Sequence, residues 1–168
     1  MLAHMGPHRI PPGPGQESVW DFPRPPAVET VSQRIRVVLS GVTVADSTAA
    51  LRVLETSHPP NYYLPPGDVD ADRLVAGDRR SFCEFKGLAR YWSVVVGDRS
   101  EVDAAWSYPE PSPGYAALTG HIAFYSAPMD QCWVGDELAR PQPGGFYGGW
   151  VTAAVVGPFK GGPGSRNW

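Results

Sequence analysis

RIRVVLSGVTVA, residues 34–45, alternates twice: Ile35, Val37 and Leu39 share one face, Ser40-Gly41 interrupts, and VTVA alternates again. Period-two alternation on both sides of a small-residue pair is a β-hairpin signature. The pattern recurs downstream. ARYWSVVV (89–96) is β-branched and aromatic and ends at Gly97-Asp98. EVDAAWSY (101–108) follows and stops at Pro109, which has no N–H for a ladder. TGHIAFY (119–125) and QCWV (131–134) flank a loop holding Pro128, and Gly135-Asp136 turns the chain afterwards. Strands this short and this closely spaced predict a mainly β fold, a small antiparallel two-sheet sandwich or barrel. Helix signals are few. DVDADRLVAG (68–77) places Asp68 as N-cap, acids in the first turn and Gly77 as a stop, which predicts one short helix. DSTAALRVLE (46–55) reads as a second short helix or as an irregular strand.

Composition limits what the chain can be. Its 168 residues carry 14 Lys+Arg against 17 Asp+Glu, a net charge of −3, which argues against a nucleic-acid partner. No long apolar run exists to span a membrane, and the first residues lack a signal-peptide pattern. Two cysteines, Cys83 and Cys132, without an N-x-S/T site predict a reduced, cytoplasmic chain.

Gly and Pro number 19 each and crowd the ends: residues 1–26 hold 7 Pro and 3 Gly, and residues 141–168 hold 4 Pro and 8 Gly. The chain therefore divides into an N-terminal arm (1–26), a β core (27–140) and a C-terminal arm (141–168). Solvated tails have no use for Trp20, Phe22, Phe146, Tyr147, Trp150, Phe159 and Trp168. Order is expected from about Gln16, with the C-terminal arm packed on the core or a partner; residues 1–12 are expected to be mobile, with His4-Met5 a cloning remnant.

Metal chemistry finds no support: there is no C-x-x-C and no H-E-x-x-H, and His4, His8, His58 and His121 are scattered. No cofactor is implied. GPFKGGPGS (157–165) is Gly-rich, but its Lys precedes the glycines, so it reads as a turn-rich arm rather than a phosphate loop.

Three blocks hold the candidate chemistry. ETSHPPNYYLPP (55–66) combines Glu55 and His58 with Tyr62 and Tyr63 on a backbone stiffened by prolines, the rigid loop a binding site wants. SFCEFKGLARYWS (81–93) puts Ala89, Tyr91 and Ser93 on one strand face and Arg90 and Trp92 on the other. Cys83 is a nucleophile only where a cation such as His58 or Lys86 stabilises its thiolate; the plain alternative is a small buried hydrophobe. Lys86 pairs with Glu84 or Glu55, or binds an anionic ligand group. AAWSYPEP (104–111) aligns Trp106 with Tyr108 on one face, and neighbouring strands bring Tyr91 to it. With Tyr62 or Tyr63 these rings wall a pocket suited to a flat ring or an organic cation; the plain alternative is an aromatic core cluster.

These blocks, with C-x-x-K-G-x-A-x-Y at Cys83, Lys86, Gly87, Ala89 and Tyr91, resemble the domain-of-unknown-function family 427 of bacteria and fungi. The likeness runs from about Gly13 onward and is to its single-domain bacterial type. It implies a β-tent-like fold, two small antiparallel sheets leaning together. By analogy with that group it also implies an aromatic-walled ligand pocket between the sheets. The group's paired zinc cysteines are missing here, so neither zinc nor reductase activity carries over. The nucleotidyltransferase-like label attached to the family needs clustered carboxylates for Mg²⁺. Asp68/Asp70/Asp72 and Asp98/Glu101/Asp103 fit a helix start and a hairpin turn instead.

Two functions follow. The first is a small-molecule binding domain with Glu55, Tyr63, Lys86, Tyr91, Trp106 and Tyr108 in its pocket and Cys83 and His58 as catalytic candidates. The second is a non-enzymatic interaction or structural module whose aromatic arms dock on a partner or on a second copy as a homo-oligomer.

Overall fold

The computed structural model describes residues 7–168, so His4 and the other residues before Pro7 lie outside the described part. Fifteen short strands form in chain order: β1 (Glu17–Ser18), β2 (Ala27–Thr30), β3 (Ile35–Leu39), β4 (Val42–Ser47), β5 (Leu51–Leu54), β6 (Asn61–Leu64), β7 (Leu74–Cys83) and β8 (Gly87–Val96) in the first half. β9 (Arg99–Ser107), β10 (Ile122–Phe124), β11 (Gln131–Val134), β12 (Glu137–Leu138), β13 (Arg140–Pro141), β14 (Trp150–Val151) and β15 (Val155–Val156) complete them. A seven-stranded sheet has the order β2-β5-β6-β10-β9-β8-β7, and a four-stranded sheet the order β12-β11-β3-β4. Both are antiparallel and open, so the architecture is a sandwich rather than a closed barrel. The pairs β1-β15, which is parallel, and β13-β14 tie the two ends of the chain to each other and to the core.

The hairpin at 34–45 forms as its pattern dictates. Leu39 pairs with Val42 across Ser40 (φ 50°) and Gly41 (φ 74°), the two left-handed residues that a two-residue turn matching strand twist requires. Ile35, Val37 and Leu39 are fully buried, and they meet Tyr62, Leu64, Val94, Ala105, Ile122 and Phe124 of the large sheet in the main core. Trp150 completes that core: it is 0 % exposed, its Nε1 donates to the Phe124 carbonyl at 2.8 Å, and its ring tilts on Tyr62 at 5.2 Å.

Two helix signals resolve differently from a helix. Residues 46–55 take the strand option in β4 and β5. In 68–77 the cap is Asp70 rather than Asp68, whose carboxylate accepts from Ser47 Oγ; Asp70 accepts from Asp72 N, and the turn it starts is a single 3-10 turn, Ala71–Arg73. Leu74 then leaves as a strand and pairs with Val94. A seven-pair ladder on β8, interrupted by a bulge between Ala76 and Arg80, and the packing of Leu74 on the core outweigh the small local preference of one cap. The helical content of the described residues is confined to such 3-10 turns, and none of their helices is long and apolar enough to cross a membrane.

Candidate functional site

The period of two that buries Tyr62, Leu64, Ala105, Ile122 and Phe124 against the small sheet turns Tyr63, Trp106 and Ala123 to the opposite face of the large sheet. Tyr91 joins them because it stands in register with Trp106, and Tyr108 follows two residues beyond Trp106. The aromatic cluster therefore lies on the outer face of the seven-stranded sheet. This corrects the pocket between the sheets that the family resemblance implied.

A cavity of about 330 Å³ opens on that face, and all eight sequence-derived candidates line it: Glu55, His58, Tyr63, Cys83, Lys86, Tyr91, Trp106 and Tyr108. Three sites of the chain converge there. Glu55 and His58 come from the turn after β5, Cys83 and Lys86 from the end of β7 and the turn into β8, and the rings from β6, β8 and β9. The segment before β14 covers the rings. Tyr125 Oη donates to the Phe146 carbonyl at 3.2 Å, and Gly148 lies so close to Trp106 that a Cβ there would stand 2.2 Å from the indole. Only a residue without a side chain allows that approach.

The rings are also hydrogen-bonded. Trp106 Nε1 donates to Tyr63 Oη at 3.1 Å, and Tyr91 Oη and Ser81 Oγ are 2.8 Å apart. Burial pushes the hydroxyls of Tyr63 and Tyr108 well above the ordinary phenol value and that of Tyr125 up to about 12, so all three are neutral phenols at physiological pH.

His58 is held more tightly than its loop position suggests. Gln142 accepts from Gly149 N–H through Oε1 at 3.0 Å, which turns its Nε2 toward the Lys160 carbonyl at 2.8 Å and His58 Nδ1 at 2.9 Å. An accepting Nδ1 places the ring proton on Nε2. Burial, with the positive charges of Lys160, Arg24 and Lys86, lowers His58 to about 4. The ring is neutral at pH 7, so its 3.8 Å approach to Glu55 Oε2 is a contact of a neutral imidazole, not an ion pair. Glu55 is instead paired with Arg24 at 3.3 Å. Beside His58, Ser57 sits at φ 74° with its Oγ buried and without a partner, a strained residue of the kind that binding loops retain.

Cys83 is half-buried, and among the described residues no hydrogen bond joins it to His58, so the nucleophile–base pair is not assembled in this structure. Cys132 is the inert thiol, buried in the main core and pushed up to about 12. Lys86 pairs with neither Glu84 nor Glu55; its Nζ stands 5.9 Å from the centre of the Tyr108 ring. Among the described residues no group of three or more His, Cys, Asp and Glu is arranged to hold a metal.

Several lining residues escaped the sequence reading. Arg79, Tyr125, Tyr147, Gly148 and Lys160 all border the cavity. Arg79 lies on the strand whose start was read as a helix, and Lys160 lies in the Gly-rich stretch 157–165. The ring-rich FYGGW was the one available signal for Tyr147 and Gly148.

A family model described as a domain of unknown function, DUF427, matches residues 27–135, which includes β2 to β11 and all eight candidates but not Gln142, Tyr147, Gly148 or Lys160. No curated protein matches the chain.

Proposed function

We propose that this chain, which belongs to the DUF427 family, binds a small molecule in the aromatic-walled cavity on the outer face of its large sheet. One observation carries the reading: residues far apart in sequence, polar and aromatic alike, line a single cavity of about 330 Å³, within the size range of small-ligand sites. Trp106 and the tyrosines supply flat apolar walls, while His58, Lys86 and the neutral phenols supply a few directed polar groups. The position of His58 on a network of three hydrogen bonds through Gln142 lowers the ordering cost of binding. Cys83 and His58 share the cavity, and any catalytic role for them rests on this same binding step.

The test is a thermal-shift screen with small carboxylates, organic amines, nucleobases, nucleotides and cyclic imides. A compound at about 100 times its Kd adds roughly 2.7 kcal/mol, which moves a domain of this size by several degrees. The expected result is a dose-dependent rise that Trp106→Phe weakens. A library that leaves the melting temperature unmoved in every class overturns the reading.

The alternative, an interaction module using the aromatic arms, draws on Phe146, which is 67 % exposed. The other rings there are engaged within the chain. Trp150 is in the core, Trp20 and Trp168 pack edge to face at 5.4 Å, and Tyr147 packs on His58 at 4.7 Å. Phe146→Ser leaves the sedimentation behaviour unchanged if the binding reading holds; loss of a self-associated species in that variant favours the module.

A further inference from the structure

Building on the binding reading, we propose that the ligand of this cavity is an anion whose carboxylate or phosphate group docks at Lys86 Nζ beside the Nε2–H of His58, with its apolar part against Trp106.

Lys86 is the first observation. The residue is 8 % exposed, and among the described residues its Nζ forms no ion pair and no hydrogen bond; it stands 5.9 Å from the centre of the Tyr108 ring. The stem of Lys86 is packed away while its ammonium opens onto the cavity without a counter-charge, and a ring face answers only part of that charge. The protein supplies no carboxylate for it. Glu55 also lines the cavity but is held by Arg24, and Glu84 is exposed.

The second observation weighs against the opposite charge. A site for an organic cation needs free aromatic faces. Here three of the lining tyrosines already carry a cation of the protein itself: Lys86 over Tyr108 at 5.9 Å, Lys160 over Tyr147 at 5.5 Å and Arg79 over Tyr91 at 4.4 Å. Three ring faces are taken from within, and their occupants leave the lining with three cations against two carboxylates.

His58 supplies the third. Because Nδ1 accepts from Gln142, the ring presents a donor and no acceptor at Nε2. Glu55 Oε2 lies 3.8 Å from this Nε2 but is engaged by Arg24, so the donor at this cationic centre matches a carboxylate or phosphate oxygen better than an ammonium.

The experiment titrates the full chain by calorimetry with benzoate, phenyl phosphate, inorganic phosphate, benzylamine and benzyl alcohol. Benzoate or phenyl phosphate is expected to bind at least tenfold more tightly than benzylamine or benzyl alcohol, and to weaken as salt rises. Lys86→Met is expected to remove that preference, and Lys86→Arg to retain part of it. Phenyl phosphate ahead of benzoate assigns a phosphate group; the reverse assigns a carboxylate. Inorganic phosphate binding as well as phenyl phosphate would strip the rings of their role and overturn the second half of the proposal. Benzylamine or benzyl alcohol binding as tightly as the anions overturns the anion while leaving the binding reading intact. Failure of all five probes, with only neutral or cationic hits in the wider screen, does the same; silence in both overturns the binding reading. The comparison among probes uses the unmodified chain, so it decides even where Lys86→Met does not fold.

Discussion

Acidifying the protein should unseat His58, and the structure sets both the direction and the size of the effect. Its folded value, about 4, lies below its ordinary value of 6.5. The unfolded chain therefore takes up the proton first. The stability that comes from keeping this ring neutral is complete above about pH 6.5 and is lost as pH falls toward 4. A gap of this size corresponds to about 3 kcal/mol, and the ring is buried enough for little of it to be screened away. In a chain of this length that is a fall in melting temperature of roughly 6–12 °C. Protonation would also set an N–H at Nδ1 against the Gln142 amide, which donates there now. Glu55, at 3.8 Å, pulls the other way, but Arg24 already holds it. Hydrogen bonds from Arg34 and Arg99 hold Asp46 and Asp130 below the ordinary 3.8, beyond the acid end of the window. The assay is thermal unfolding of the native chain and of His58→Gln from neutral pH down to about 4. The native chain should lose stability more steeply than the variant between about pH 6.5 and 4. Parallel slopes, or an NMR titration that places His58 near 6.5, would refute the account of its burial.

Three other outcomes are expected. Trp150→Ala should cost about 3–5 kcal/mol, lowering the melting temperature by roughly 6–20 °C, because it empties a fully buried indole site and orphans the Phe124 carbonyl; a shift within a degree would mean the C-terminal arm is not part of the core. Gly148→Ala should lift the covering segment off Trp106 and weaken ligand binding with little loss of fold, whereas Gly114→Ala, where a Cβ meets nothing within 4 Å, should change neither; equal effects of the two would remove Gly148 from the site. In the native protein a thiol reagent should modify half-buried Cys83 and spare Cys132, which becomes reactive only on denaturation; two thiols reacting at once would contradict the burial of Cys132.

Strand identity, the hairpins and the shared face of Tyr91 and Trp106 are properties of the sequence itself. Period-two alternation and a left-handed pair such as Ser40-Gly41 act over a few residues, and a hairpin brings its neighbours into register by chain connectivity alone. Grouping Glu55, His58, Cys83 and Lys86 with those rings was also legible, because each lies at a strand end beside a ring-bearing strand. Tertiary structure alone decided the rest. β7 is a strand because a long ladder on β8 outweighs the local cap at Asp70, and ladder partners lie beyond the reach of propensity. The outer face of the large sheet became the cavity because the small sheet took the other face, a choice that alternation leaves symmetric. The proton of His58 sits on Nε2 because Gln142, 84 residues away, approaches from a segment threaded back over the core. Lys160 reaches the Tyr147 face from the same returning segment, and Arg79 reaches the Tyr91 face across the β7–β8 ladder. Local rules specify which residues share a face; which faces meet, and what charge gathers there, depends on packing that exists only when the whole chain has folded.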